Sequence, residues 1–393
     1  MPNRRKFDVL ICGSGPAGAM ALLTLGARLR ILLVDRFSPL QEGSAPKLCG
    51  GLLTSVAQQL LPGEPPKDVR AEPWRTRLEF HDLNARRIWA YDVDYVNCYR
   101  GKLDRWLLGE ALGIAKSATY EQRTQIIGLQ PGSRGWRAQL IHHPSGQREE
   151  VEAQFVIDAS GWREVSRRLL GRELAPRLNA FQLTGAVTGQ RSRNFFAVFD
   201  SRQTPFYGWF IPKGEMAELG AAFPLDRRWE DPARFLAPFQ TYLARRGIEF
   251  EGKTAVRGCP LTYIRRRSDI WTGNASLLVA GEAAGLVSPS SGDGISYALA
   301  SGKAAAEAIL AADSQVSQGK PDESLAPQNG LMPAATEGES VQTDYRRRLK
   351  PYLRELYFNI RKARWLAHPR TRRWLSCLLP LARNRHPERL PFL

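Results

Sequence analysis

Three glycines near the start of this 393-residue chain have the spacing and setting to hold phosphate. Gly13-Ser14-Gly15-Pro16-Ala17-Gly18 follows the apolar run Phe7–Cys12 and precedes an Ala/Leu/Met-rich stretch. The run has the composition of a strand buried on both faces, and the stretch after it suits a helix. In that setting Gly13 permits a tight turn, Gly15 lets backbone approach a pyrophosphate, and Gly18 allows close helix–strand packing. The helix N-terminus adds amide donors for the phosphates. A second apolar run, Ile31–Val34, ends in Asp35, where a carboxylate would hold a ribose hydroxyl. A glycine-rich turn without a ligand is the plain alternative, and the strand–turn–helix context argues against it. This stretch reads as a dinucleotide site, with NAD and FAD both open.

Other elements must complete such a site. Phe155–Gly161 and Leu277–Gly281 are buried-strand patterns that stop at glycines. Parallel strands present their carboxyl ends along one sheet edge, so Gly13–Gly18, Gly161 and Gly281 are predicted to lie along one extended ligand. Gly50-Gly51 marks a loop with special backbone geometry, and Thr54–Leu61 suits a short helix. Residues 62–73 read as a surface connection. Strand character follows over 78–96, a helix from Arg100, strands over 124–129 and 136–142, and an aromatic, strand-rich region over 165–265. Residues 295–312 form an Ala-rich helix, and 313–343 read as a polar, poorly ordered linker.

Composition is that of a globular chain, and no run reaches the ~18 apolar residues of a membrane span. The opening Arg-Arg-Lys and apolar run mimic a signal peptide, but that run is already the first strand and no small-residue cleavage site follows. Five scattered cysteines and five histidines, with only His142 and His143 adjacent, form no disulfide or metal framework. A cytoplasmic, metal-free protein is expected. The net charge of +17 is concentrated in the tail, where residues 344–393 hold fourteen Lys or Arg against three acidic residues. Tyr352, Leu353, Leu356, Ile360 and Trp365 fall at near-helical spacing beside basic residues. That pattern suits either a helix packed on the body or one lying on an anionic membrane at the inner membrane face. No nucleic-acid-binding motif accompanies the charge.

GSGPAG at 13–18, Asp35-Arg36, the RxxxD spacing of Arg100 and Asp104, DASG at 158–161 and GEAAGLVSPSSGDGISYALASG at 281–302 together resemble an FAD-dependent superfamily. It includes p-hydroxybenzoate hydroxylase-like monooxygenases and geranylgeranyl reductases. LCGG at 48–51 and Tyr207-Gly-Trp209-Phe-Ile-Pro212 with Gly220-Ala-Ala resemble motifs of the reductase branch. The chain departs from the pattern at Ser160, at Glu282 where Asp is common, and at Ile211 and Ala222. The resemblance implies an α/β fold: a Rossmann-like FAD-binding domain in three parts (1–75, 99–165, 269–312), interleaved with a β-sheet substrate domain (76–98, 166–268). The linker and a basic helical region, 344–393, complete the expected order.

The resemblance places the ADP half of FAD on Gly13, Gly15, Pro16, Ala17, Gly18, Asp35 and Arg36. The reactive half falls near Cys49, Gly50, Gly51, Gly292, Asp293, Gly294 and Ile295, with Gly161 and Gly281 along the extended cofactor and Glu282 at its ribityl or phosphate region. Arg100 is a charge-assisted donor to phosphate, or else half of an i,i+4 pair with Asp104. The helix opened by Gly292-Asp293-Gly294 would aim amides at the flavin pyrimidine, or be an ordinary capped helix. Cys49 is the candidate proton donor, or a buried apolar residue. Tyr207 and Trp209, two apart and so on one side of a strand, would floor an apolar pocket with phenol and indole as polar handles, or form a core pair.

The implied activity is FAD-dependent reduction of C=C bonds in an isoprenoid or other apolar substrate. A monooxygenase, or less so a halogenase, acting on an aromatic or polyketide-like molecule shares the same scaffold. No second G-x-G-x-x-G follows, so NADPH or NADH would bind transiently, or an electron-donor protein would serve.

Overall fold

The computed structural model describes residues 4–40, 47–133, 135–225, 232–318 and 334–373. The chain opens as β1 (Arg5–Cys12), α1 (Pro16–Leu25) and β2 (Ile31–Asp35), as the buried runs and the glycine turn require. It then leaves for a second layer through β3 (Leu52–Leu53), α2 (Ser55–Leu60), β4 (Arg70–Asp82) and β5 (Arg87–Cys98). Thr54 starts α2 by accepting the Ala57 amide at 3.2 Å. The chain returns with α3 (Arg100–Ile114), β6 (Thr119–Gln122), β7 (Thr124–Gly132), β8 (Gly135–His142), β9 (Arg148–Asp158) and α4 (Val165–Leu169). A second excursion builds β10 (Arg177–Gly189), β11 (Phe195–Phe199), β12 (Gly208–Lys213), β13 (Met216–Pro224), α5 (Pro232–Ala244) and β14 (Ile248–Thr262). β15 (Gly273–Asn274), β16 (Leu277–Val279), α6 (Ile295–Gln318) and α7 (Ala334–Ala367) close the fold.

The first sheet has the order β15-β16-β9-β1-β2-β6, with the β7–β8 hairpin joined to β9. β16, β9, β1, β2 and β6 run parallel, and Cys12 is level with both Val34 and Asp158 while Val279 is level with Asp158. The turns at Gly13, Asp35, Gly161 and Gly281 therefore leave the sheet at one edge. Val9, Leu10 and Ile11 have no solvent exposure, so both faces of β1 are covered.

The second sheet has the order β14-β10-β13-β12-β11-β4-β5-β3. Strand alternation divides its faces. Phe181, Leu183, Phe210, Leu219 and Phe223 pack under α5 with Leu236 and Phe239. The opposite face, carrying Gln182, Trp209, Ile211 and Glu218, borders the cavity described below.

Several boundaries differ from the sequence expectation. The second sheet takes Leu52–Leu53 and begins β4 at Arg70, inside the stretch assigned to connection and first domain. Pro73-Trp74, with the charged Arg70, Glu72 and Arg75 around it, obscures the alternation there. Residues 313–318 are helical in α6 and 334–343 in α7, so the proposed linker is shorter; 319–333 lie outside the described residues. The polar composition of both segments hid these helix ends; Val341 and Gln342 near the start of α7 are buried. Val341, Tyr345, Leu349, Leu356 and Ile360 bury one face of α7, and the Tyr345 hydroxyl donates to the Val279 carbonyl at 2.8 Å. Beyond α7, Arg372 is buried on the second layer, donating to Asp82 Oδ2 at 2.8 Å and to Asn84 Oδ1 at 2.6 Å. Residues 374–393 lie outside the described residues. No helix among those described is long and apolar enough to cross a membrane.

Candidate active site

A cavity of about 1040 Å³ lies between the edge of the first sheet and the inner face of the second. That is at the upper end for small-molecule sites, with room for a dinucleotide and part of a substrate. Gly13, Gly15, Pro16 and Ala17 line one part; Gly161, Gly281, Glu282, Cys49, Gly50, Gly51 and Arg100 line another. Gly292, Asp293, Gly294, Ile295, Tyr207 and Trp209 also line it. Asp35 and Arg36 are on its wall as well, and Gly18 is buried beneath it.

The glycine turn has the shape expected of a phosphate cradle. Gly13 has φ +100°, and a Cβ there would lie 2.6 Å from the Ala159 carbonyl oxygen. A Cβ on Gly18 would collide with the Gly13 carbonyl, while one on Gly15 would meet nothing within 4 Å. So Gly13 and Gly18 are demanded by packing, and Gly15 by the cavity. No side chain caps α1, which leaves its first amides without intrahelical acceptors beside the cavity. Such donors fit a pyrophosphate.

Asp35 does more than await a ribose. Its Oδ2 accepts from the Ser14 amide and hydroxyl at 2.7 and 2.6 Å, and its Oδ1 from the Phe37 amide at 2.8 Å. It thereby locks the glycine turn to the end of β2. Arg36 is exposed, its guanidinium 5.6 Å from the Phe37 ring centre, with Arg163 5.2 Å from the same ring. Trp162, Arg163 and Phe37 form a shelf at this part of the cavity that motif reading did not reveal.

Glu282 is buried and already engaged: Oε1 accepts the Thr262 amide at 3.0 Å and Oε2 accepts the Lys47 ammonium. Gly281, with φ +61°, donates its amide to Ser301 at 2.8 Å, fixing the turn against α6. The start of α6 is capped from within the chain. Asp293 Oδ1 accepts the Ser296 amide at 3.2 Å, and burial pushes its carboxyl above the ordinary range while these amides pull it back. The Ile295 side chain is buried, and Gly292 adopts φ +72°.

Arg100 also takes its intrahelical option, donating from Nε to Asp104 at 2.8 and 3.0 Å. Burial disfavours its charge, but Asp104 and then Cys49 beside it more than offset that, so its proton is held more firmly than usual. Cys49 is half-buried; the Gly51 amide donates to its Sγ at 3.5 Å. The LCGG loop is held by Lys213, a residue the motifs did not flag. Its buried ammonium donates to Gly50 O at 2.7 Å, Asn97 Oδ1 at 2.6 Å and Cys98 O at 2.7 Å. Desolvation lowers its pKa, opposed by Glu218 and the nearby cysteines.

Tyr207 and Trp209 share one side, their rings 6.4 Å apart edge to face. Their polar groups face protein acceptors: the Tyr207 hydroxyl donates to Ser291 O, and the Trp209 indole to Gln182 Oε1 at 3.1 Å. Burial keeps the Tyr207 phenol protonated. Both residues therefore shape the floor, and the polar-handle role predicted for them is occupied by the SGDG turn and by β10. Gly220 makes room for the indole, since a Cβ there would enter the Trp209 ring.

One acidic group elsewhere has metal-ligand geometry among the described residues: Glu121, His142 and Glu149. The Arg5 guanidinium already bridges its two carboxylates, at 2.7 Å to Glu121 and 2.5 Å to Glu149.

No protein-family profile matches the chain. Protein CbrA of Escherichia coli O6:H1 is 25% identical over 374 residues, covering 94% of this chain and 92% of that one. A geranylgeranyl bacteriochlorophyll reductase-like protein from Thermoplasma acidophilum superimposes with TM-score 0.77 at 18% identity, over 98% of both chains. PqsL from Pseudomonas aeruginosa, a probable FAD-dependent monooxygenase, gives TM-score 0.61 at 18% identity, over 92% of this chain and 96% of that one. The fold is accordingly the mixed α/β architecture of p-hydroxybenzoate hydroxylase-like flavoproteins, with two sheets and a C-terminal helical region.

Proposed function

We propose that this protein is an FAD-dependent reductase that saturates a carbon–carbon double bond in an isoprenoid or another apolar molecule. The observation that carries the reading is one continuous cavity joining an uncapped, glycine-cradled helix start to an aromatic sheet floor, with Cys49 on its wall. The turn at Gly13–Gly18 would hold the pyrophosphate, and the Gly281 and Gly292–Ile295 segments would border the ring system. Bound FAD supplies hydride chemistry that no side chain can.

The chain's own residues do the rest. Tyr95, Phe195, Tyr207, Trp209, Ile211 and Leu261 give the substrate an apolar seat and exclude water from it. The Cys49 thiol holds a proton at Sγ for the alkene carbon that does not receive hydride. Arg100, whose charge acts on that sulfur, stabilises the thiolate left behind until water returns the proton. NADPH or NADH, or a protein donor, would supply the electrons from outside.

Monooxygenation is the second reading, supported by the likeness to PqsL. Anaerobic photoreduction of the flavin-loaded protein followed by air separates the two. A direct return to the oxidised spectrum supports the reductase; a transient absorbing species on the way back supports oxygenation. Cys49→Ser should lower turnover of an apolar alkene about a hundredfold with flavin content unchanged. Unaltered turnover would remove Cys49 from the chemistry.

The membrane reading narrows to one face of α7. Leu356 and Ile360 are packed inward, but Arg354, Phe358, Arg361 and Trp365 are exposed at i, i+4, i+7 and i+11, on one helical face. Phe358 and Trp365 stand edge to face at 6.4 Å. Tyr352 and Glu355 of the same helix line the cavity, so this face would bring an anionic membrane surface near the substrate's entry. Sedimentation with phosphatidylserine vesicles should fall at least about tenfold in Phe358→Glu/Trp365→Glu. Equal sedimentation of both proteins would refute the face.

A further inference from the structure

Beside the Cys49 loop the cavity wall carries a hydroxyl that bonds no protein group among the described residues. It belongs to Tyr95 on β5, which lines the cavity and whose ring meets Phe195 edge to face at 6.1 Å. The hydroxyl is open to the cavity and has no partner. The Tyr207 and Tyr297 hydroxyls, by contrast, are committed to Ser291 O and Glu355 Oε1. Neighbouring contacts fix where the Tyr95 phenol stands. Tyr95 and Asn97 point to one face of β5, about 7 Å apart along the strand. Asn97 Oδ1 accepts from Lys213, which also holds Gly50 O, so Tyr95 is one step from the anchor of the Cys49 loop. On the neighbouring strand Leu53 is level with Val96. Thr54, next in the chain, shares a hydrogen bond with Ser296 in the first turn of α6 at 2.7 Å. The open phenol therefore lies between the Cys49 loop and the turn that starts α6, the end of the cavity proposed above for the reacting ring.

We propose that the Tyr95 hydroxyl donates to a carbonyl oxygen conjugated with the double bond that is reduced. The substrate is then an apolar α,β-unsaturated ketone or aldehyde, not an isolated alkene. This rests on the reductase reading above. An isolated alkene offers no acceptor, so an open donor on its seat would stay unpaired. A conjugated carbonyl gives that donor a role. When hydride reaches the carbon β to the carbonyl, the double-bond electron pair moves onto oxygen and an enolate forms. A donor already aimed at that oxygen stabilises the charge as it develops. The enolate pair then forms the C–H bond at the α carbon, with the proton taken from Cys49 Sγ. Tyr95 keeps its own proton throughout, since burial and then Asp293 push its phenol above the ordinary range. One hydride, lost by reduced FAD, and one proton, lost by the thiol, are thus added across the double bond.

Binding and single-turnover measurements on the FAD-loaded protein test this. In the oxidised protein, 2-decanone should bind about tenfold more weakly to Tyr95→Phe than to the wild type, while 1-chlorodecane binds both alike. The infrared carbonyl stretch of bound 2-decanone should lie at lower frequency in the wild type than in Tyr95→Phe, which reports the hydrogen bond itself. After anaerobic photoreduction, the wild type should reduce 3-decen-2-one about a hundredfold faster than its isomer 9-decen-2-one, whose double bond is isolated. Tyr95→Phe should lose about a hundredfold on 3-decen-2-one. Flavin content and melting temperature show whether the variant is folded. Equal rates on the two isomers in the wild type overturn the proposal and leave the reductase reading standing. So does a Tyr95→Phe variant with unchanged rate and carbonyl frequency. Reduction of neither isomer overturns the proposal, and an oxygenated product on admitting air overturns the reductase reading with it.

Discussion

Gly18→Val is expected to lose flavin almost completely. The first turn of α1 crosses the end of β1 so closely that a Cβ at Gly18 would strike the Gly13 carbonyl and lie 3.4 Å from the Ala159 methyl. Neither obstacle is the flexible end of a long side chain, so the turn itself must shift. Overpacking of this kind costs about 3 kcal/mol, which as misplaced amides is roughly a hundredfold in affinity. Equilibrium dialysis against FAD measures it. Gly15→Val is the informative companion. Gly15 has an ordinary φ of −65° and open space where its Cβ would go, so that variant should fold like the wild type. It should nonetheless bind FAD poorly, because its side chain would occupy the place of the pyrophosphate. Normal affinity in Gly15→Val would mean that the phosphates lie elsewhere.

Lys213→Met is expected to destabilise the protein by about 3 kcal/mol and to free the Cys49 loop. Methionine matches the aliphatic stem but leaves Gly50 O, Asn97 Oδ1 and Cys98 O without their donor. Removing a desolvated ammonium returns part of that cost, which is why the figure is not the sum of three lost hydrogen bonds. Lys47 on Glu282 anchors the start of the loop, but beside Cys49 the other contact is the Gly51 carbonyl accepting from the Cys98 amide at 3.0 Å, with Gly51 at φ +65° in a space where a Cβ would hit the Cys98 carbonyl. Urea unfolding gives the stability loss. Faster modification of Cys49 by a thiol reagent than in the wild type, under native conditions, reports the freed loop. An unchanged midpoint together with unchanged reactivity would show that Lys213 does not anchor it.

The sheet edge was legible because it depends on local signals. Buried runs ending in glycine at positions 13, 161 and 281 are strand ends, and parallel pairing aligns such ends whatever their distance in sequence. The partners of polar side chains were not legible. Asp35, Glu282, Tyr207 and Trp209 were assigned to ligand, yet they bond Ser14, Lys47, Ser291 and Gln182, at separations of 21 to 235 residues. Nothing in a single chain's spacing pairs such positions. Lys213 did leave a trace. Trp209, Ile211 and Lys213 alternate along β12 onto one face, and a lysine continuing a buried apolar alternation marks an inward cation that must find oxygens. The tail left both readings open for the opposite reason: an amphipathic basic helix reads the same whether its apolar side meets lipid or its own protein. Tertiary packing of Leu356 and Ile360 divides that side, leaving Phe358 and Trp365 outside.

The cavity between the two sheets has the glycine turns and the volume for the FAD proposed to occupy it. The most direct measurement is the flavin content of the full chain after saturation with FAD and gel filtration, by visible absorption and by mass spectrometry of the ligand released on denaturation. One FAD per chain, retained by the wild type and lost in Gly15→Val, is the predicted result. A wild type that emerges without flavin, or that retains NAD or NADP in its place, would contradict the account.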